Sequence, residues 1–258
     1  MRLGVRSLLT NYHTHHYRCR HAKGQIEDYI KEAVHNGYTE IGVSCHVPFA
    51  NFPEMGDQRM DYQDLSAYFQ EIEAAQKKYP QIKILKSFEC EYFPKVHDYL
   101  VWLAEKTDYL LLAGHDIEVD GHYEDAFYFT KPYQLEIYAQ QIEAAMKTGL
   151  FKILAHPEIF MFSYPKWDGV CEQVTHKIAQ AANQYDVILE VNANGFRYGR
   201  KDQPYPKEEF WSLIASHYPE TNVLVNSDCH HPKFLNDGYM NWARQMAKRL
   251  KLNVRERL

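Results

Sequence analysis

His13-Thr14-His15, with His21 six residues further on, is the stretch of this chain best equipped for chemistry. The run before it, Leu8-Leu9-Thr10-Asn11-Tyr12, reads as a buried strand, so the first two histidines stand where that strand ends. Residues two apart in a strand point the same way, which lets both imidazoles face one ion. Two imidazoles on a rigid element make half a coordination sphere. Further along, the ends of other apolar runs carry the remaining half. Strand candidates fall at residues 8–13, 40–44, 82–89, 109–114, 151–155, 187–192 and 222–227. At or just past their carboxyl ends stand His13 and His15, His46, Glu89, His115, His156, and finally Asp228 with His230. Only the sixth run brings no evident ligand; it leads to Asn192, Asn194 and Arg197.

A single histidine at such a place is more often a hydrogen-bonded structural residue than a ligand. The joint pattern carries the argument, because with His21 it takes up seven of the chain's 14 histidines. His35, His97, His176 and His217 fall in helical stretches and read as structural, whereas His16, His122 and His231 adjoin the motifs and read as rim residues. Glu91 shares a strand face with Glu89, so either carboxylate could bind. The whole set is too large for one ion, since tetrahedral zinc takes four ligands and a catalytic site leaves one position open. It suits two or three divalent ions sharing a bridging carboxylate, with Glu89 the natural bridge. Nitrogen and oxygen ligands admit zinc, manganese or iron. Cys45, Cys90 and Cys229 each neighbour a ligand in sequence and should point away from it, into apolar packing.

These residues need a scaffold that brings seven strand ends together. Amphipathic stretches at 26–35, 65–79, 133–147 and 174–185 lie between the strands, for instance with Ile26, Tyr29, Ile30, Ala33 and Val34 on one face. Strands alternating with helices imply a parallel sheet with covered faces, and active sites of such barrels lie at the carboxyl ends of the strands. Without a linker or repeat, residues 1–258 read as one domain. Long connections at 47–61, 116–132 and 195–206, the last with Arg197, Arg200 and Lys201, read as loops over the site. A formal net charge of -5 disfavours a nucleic-acid partner. Five cysteines without CxxC spacing, no secretory leader and no apolar run of membrane-spanning length read as a reduced, cytoplasmic protein with no membrane partner.

With these residues placed, the chain resembles the polymerase-and-histidinol-phosphatase (PHP) family, and within it the stand-alone bacterial histidinol-phosphate phosphatases. The matching segments are Tyr12-His-Thr-His-His-Tyr-Arg-Cys-Arg-His21, Ile41-Gly-Val-Ser-Cys-His46, Phe88-Glu-Cys-Glu-Tyr92 and Asp108-Tyr-Leu-Leu-Leu-Ala-Gly-His115. Ala155-His-Pro157, Glu190-Val-Asn-Ala-Asn-Gly-Phe-Arg197 and Ser227-Asp-Cys-His-His-Pro232 complete them, in family order. The resemblance implies a distorted (β/α)7 TIM-like barrel with a trinuclear metal centre. It carries the ligand roles onto His13, His15, His21, His46, Glu89, His115, His156, Asp228 and His230. Three positions depart from the family pattern: Asn11 where Asp is usual, Cys45 in place of the Asp of Ser-Asp-His, and Arg20 where glycine is frequent. The first two would remove carboxylates that orient imidazoles, at about 10–100-fold in affinity or rate per partner.

Such a centre points to hydrolysis of a phosphomonoester by a hydroxide bridging two ions, and the resemblance implies L-histidinol phosphate, in histidine biosynthesis, as that substrate. Arg197 is the expected phosphate clamp and Arg18 the second choice, guanidinium matching phosphate oxygens as a fork. Asp116, Glu118, Asp120 and Glu91 are candidates for the substrate's amine. Other readings are a PHP phosphoesterase of different specificity (a broad phosphatase or a 3′ nuclease), a metal-binding domain with decayed catalysis, and a single-zinc amidohydrolase.

Overall fold

The apolar runs form short, mostly buried parallel strands, and the helices between them supply one of the covers. A computed structural model describes residues 9–50, 52, 56–199 and 203–258. Leu8, parts of the 47–61 connection, and Arg200 and Lys201 of the 195–206 connection lie outside the described residues. Strands β1 (Leu9–Asn11), β2 (Tyr38–Val43) and β3 (Lys83–Lys86) form a parallel sheet with β2 in the middle. A second parallel sheet contains β4 (Glu89–Cys90), β5 (Leu111–Leu112), β8 (Ile153–Leu154), β9 (Ile188–Asn192), β10 (Asn222–Asn226) and β11 (Asn253–Val254), in that spatial order. Isolated parallel bridges join Thr14 to Cys229 and His46 to Glu89, between the ends of strands in the two sheets. Among the described residues neither sheet closes on itself; what is present is an α/β fold of parallel sheets.

Among the described residues, seven α-helices connect the strands: α1 (Ile26–His35), α2 (Leu65–Lys78), α3 (His97–Ala104), α4 (Pro132–Lys147), α5 (Gly169–Tyr185), α6 (Glu208–His217) and α7 (Gly238–Arg249). Their starts follow local chemistry. Asp168 accepts the N–H groups of Val170 and Cys171 to open α5, and Asp237 those of Tyr239 and Met240 to open α7. Helix α1 buries Ile26, Tyr29, Ile30 and Ala33, the stripe that its three- and four-residue spacing predicts.

Alternation along the strands divides the core. Leu110, Leu112, Leu154, Leu189 and Val223 join the large apolar cluster that includes the helices' buried faces. Their neighbours Leu111, Ile153, Ala155, Ile188 and Leu224 join Tyr12, Leu85 and Tyr109 in a separate cluster. Period-two alternation between two apolar environments explains why these stretches are apolar on both faces, with Glu190 the exception inside β9.

Two segments differ from the sequence expectation. The run at 82–89 breaks into β3, which pairs with β2, and β4, which pairs with β5. The 116–132 connection is not a plain loop: β6 (Asp116–Val119) and β7 (His122–Asp125) form an antiparallel hairpin, followed by a 3-10 helix at Ala126–Tyr128. Its turn, Asp120-Gly121, has φ of 50° and 79°, the positive pair that a two-residue hairpin turn of this hand demands.

Candidate metal centre

Glu89, the first residue of β4, is the point on which the site converges. Its Oε1 lies 2.8 Å from His156 Nε2 and 3.4 Å from His115 Nε2. Its Oε2 lies 3.0 Å from His46 Nδ1, 3.4 Å from His13 Nε2 and 3.5 Å from His15 Nε2. Asp228 Oδ1 stands 3.0 Å from His15 Nε2, and His21 Nε2 stands 2.9 Å from His230 Nε2. All nine residues expected as ligands are therefore brought together. His156 and Asp228 hold φ of 30° and 45°, a left-handed conformation that costs non-glycine residues energy and that clusters at functional sites.

Other residues aim the imidazoles. Glu190, buried in β9, takes His13 Nδ1 at 2.9 Å and also accepts from His156 N–H, Asn192 and Asn226. Glu91 takes His115 Nδ1 at 2.7 Å and pairs with Arg59 at 3.2 Å. His21 and His230 donate from Nδ1 to the carbonyls of Cys19 and Asp228, at 2.8 and 3.1 Å. Carboxylates and carbonyls behind ligating histidines fix ring orientation and raise basicity. Glu91 also forms a donor trio with His46 and His115, but Glu89, with five imidazoles around it, is the central carboxylate.

Electrostatics follow from this crowding. Burial opposes charge on His13, but Glu190, Asp228 and Glu89 outweigh it and hold its pKa well above the ordinary value. His15 and His115 are likewise raised, to about 9, against burial. Burial wins at His46, which falls well below its usual range, and at His230, pushed down to about 3. Glu89 and Asp228, despite burial, are kept well below the carboxylate range by the imidazoles, His13 first in each case. Protons shared among these rings are what a bound cation would displace.

The set fits divalent ions on direct grounds. Glu89 Oε2 and Asp228 Oδ1 are buried and have no hydrogen bond, although imidazole nitrogens lie near both. Such oxygens are costly unless a cation neutralises them. Donor atoms of His13, His15 and Asp228, of His15, His46 and Glu89, and of His21, His46 and His230 lie within 4.8 Å of one another in each trio.

A cavity of about 670 Å³ opens over the centre. Arg197 lines it, but most of its fork is used: Nε and Nη2 reach Asp237, Nη2 also Phe234 O, and Nη1 reaches Ser227 O at 2.8 Å. Of five N–H groups, one on Nη1 is left over. Arg18 is not among the lining residues: its guanidinium forms a two-pronged pair with Glu71 on α2. Arg59, Asp116, Asp125, Phe127, Tyr198 and Tyr205 line the cavity too. Burial first, then the charge of Glu91, pushes Asp116 up to about 7. Gly195 lets this wall assemble, since a Cβ there would sit 1.8 Å from Tyr205 O.

The three departures from the family pattern have physical explanations. Asn11 makes its hydrogen bonds to the main chain: it receives Ser227 N–H at 2.7 Å and donates to His13 O at 3.0 Å, tying β1 to the end of β10. Cys45, Cys90 and Cys229 are free, buried and part of the large apolar cluster, as expected. Arg20 has φ of 67°, the left-handed conformation in which glycine is unstrained. Asn11 brings no carboxylate to an imidazole; the carboxylate that meets His13 Nδ1 is Glu190. Glu190, Glu91 and Arg59 were not singled out for these roles in the sequence. A lone carboxylate inside the apolar run 187–192 was the available signal for Glu190.

A parallel α/β scaffold with imidazoles and carboxylates at its strand ends defines a candidate multinuclear metal centre. The PHP domain matches residues 11–194, and the chain belongs to the PHP family. It is similar to a protein of Schizosaccharomyces pombe named "Probable histidinol-phosphatase", with 25% identity covering 83% of this chain and 78% of the relative. It is similar also to a "Probable phosphatase" of Citrobacter koseri, with 26% identity over 84% of this chain and 77% of that one. In fold it matches the histidinol phosphate phosphatase of Lactococcus lactis, solved with zinc, L-histidinol and phosphate. That comparison has a TM-score of 0.74 and 18% identity, and covers 95% of this chain and 94% of the other.

Proposed function

We propose that this chain is a metal-dependent phosphomonoesterase that hydrolyses L-histidinol phosphate to L-histidinol and phosphate. The observation that carries the proposal is Glu89, with five imidazoles within 3.5 Å of its carboxylate and one buried oxygen left without a hydrogen bond. His13, His15, His21, His46, Glu89, His115, His156, Asp228 and His230 would hold two or three ions, zinc, manganese or iron by their donor types. Such ions, when bound, supply a nucleophile near neutral pH and neutralise charge on the phosphoryl oxygens. Residues of the chain do the rest. Glu190 and Glu91 lock His13 and His115 in position, and the remaining N–H of Arg197 is offered to a phosphate oxygen.

The organic half of the substrate would lie against Asp116 and Asp125, paired across the β6–β7 hairpin, and against the rings of Phe127 and Tyr198. Of the four acids considered for the amine, Asp116 and Glu91 line the cavity, and Glu91 is already held by Arg59 and His115. Asp116 is therefore the proposed amine anchor. We read the two sheets as one domain over residues 1–258 whose strands approach a seven-stranded barrel. The bridges Thr14–Cys229 and His46–Glu89 and the separate cluster formed by residues on and beside the strands support that reading. Five free thiols agree with a reducing compartment, and no helix among the described residues is long and apolar enough to cross a membrane.

The deciding measurement is kcat/KM for L-histidinol phosphate beside an aryl phosphate, after reconstitution with zinc or manganese. A strong preference for histidinol phosphate is expected. Comparable rates on both would mean a broad phosphatase, and no rate on either would remove the phosphatase reading.

A further inference from the structure

Cys19 closes the 3-10 helix Tyr17–Cys19, two residues before His21, and its side chain is fully buried. Burial alone would make it a packing residue, as it does Cys171 beside Met161. Two observations separate it from the other thiols. Its Sγ, one nitrogen of His15 and one nitrogen of His230 all lie within 4.8 Å of one another. Between those same two histidines sits Asp228 Oδ1, 3.0 Å from His15 Nε2 and 3.6 Å from His230 Nδ1, buried and without a hydrogen bond. A thiol and two imidazoles form a mixed sulfur-and-nitrogen donor set beside that buried oxygen, and these are the donor types that hold a divalent ion.

We propose that Cys19 is a sulfur ligand of the ion held at His15 and His230, and that it biases this position toward zinc. The inference rests on the metal-centre reading above and adds a donor to it. On ligation the S–H bond breaks, its proton leaves to solvent, and a thiolate–metal bond forms. Thiolate favours zinc over manganese, which prefers oxygen donors, so one position of the centre discriminates among metals that the nine nitrogen and oxygen ligands admit alike. The backbone of the same residue helps, because Cys19 O receives His21 Nδ1–H and turns Nε2 of that ring toward His230.

X-ray absorption at the zinc edge of the zinc-loaded, full-length protein tests this directly. A sulfur shell at about 2.3 Å beside nitrogen and oxygen at about 2.0–2.1 Å is expected. It should vanish in Cys19→Ser and persist in Cys171→Ser. Zinc affinity should fall by about 10–100-fold or more in Cys19→Ser, with manganese affinity much less affected. A nitrogen-and-oxygen-only shell in the loaded wild-type protein overturns the inference, and that spectrum decides even if the variant fails to fold. Equal losses of zinc and manganese in the variant overturn it as well. A protein that hydrolyses phosphomonoesters with no sulfur shell loses only this inference; one that takes up no divalent ion loses the metal-centre reading too.

Discussion

His15 touches more of the centre than any other imidazole, facing His13, Glu89, Asp228 and the stacked ring of His230 at 4.1 Å between centroids. His15→Ala should lower phosphatase activity by more than the 10–100-fold typical of an outer partner, with the far-ultraviolet circular dichroism unchanged. Full activity in a folded, metal-analysed variant would sink the cluster. Asp116 carries a different prediction. Its carboxyl is raised to about 7, so below that pH it is neutral and cannot attract an ammonium group. KM for histidinol phosphate should rise as pH falls through about 7, or lower once cations fill the neighbouring sites, and Asp116→Asn should flatten that profile. Initial-rate measurements against an aryl phosphate, which has no amine, should show no such dependence on Asp116. If both substrates respond alike, Asp116 does not bind the amine.

Between residue and fold, the loop that follows β8 shows how elements share one buried charge. Glu158 accepts the N–H of Lys207 at the start of α6 and the indole N–H of Trp211, and its Oε2 has no hydrogen bond. Burial pushes its pKa up to about 8. The folded protein therefore keeps a proton that the unfolded chain loses near the ordinary carboxyl pKa. This group's contribution to stability declines by about 1.4 kcal/mol per pH unit between those two values, and is level outside them. Urea unfolding of wild type and Glu158→Gln from pH 5 to 8 should show curves that converge or cross, the wild type losing stability faster. Parallel curves would mean that Glu158 ionises normally. Elements also explain Arg197. By binding Ser227 O, Phe234 O and Asp237 it ties the 3-10 turn at Asn194–Tyr198 to the end of β10 and the start of α7, and so holds the Asp228 turn in place.

At the scale of the whole molecule, the buried oxygens without hydrogen bonds and the protons shared among the imidazoles make the metal-free fold a compromise. Ions that bind the folded chain and not the unfolded one stabilise it by about 2.7 kcal/mol at a hundredfold excess over Kd. For a chain of this size that is roughly 5–10 °C in Tm. Chelation should lower Tm by that order and restoration of zinc should recover it, with protons released on loading because imidazoles hold them beforehand. Scanning calorimetry in weak buffer reads both. A Tm indifferent to chelator, in protein shown to have been loaded, would deny a centre built into the fold.

Much of this was legible in the amino-acid sequence. Strand ends could be read because an apolar run that stops at His46, Glu89 or His115 marks both the element and the place where polar groups first become affordable. Helix α1 was legible from its spacing alone. The β6–β7 hairpin was missed although Asp120-Gly121 announces it, because aromatic and acidic residues around it read as loop. What tertiary structure decided were the partners: Glu190 behind His13, Glu91 behind His115, Arg18 drawn to Glu71, and Cys19 beside His15 and His230. The physical reason is distance along the chain. Type and local spacing are fixed by covalent neighbours and the periods of strand and helix. Which carboxylate meets which imidazole depends on the register between strands many residues apart, and only the packed fold sets that.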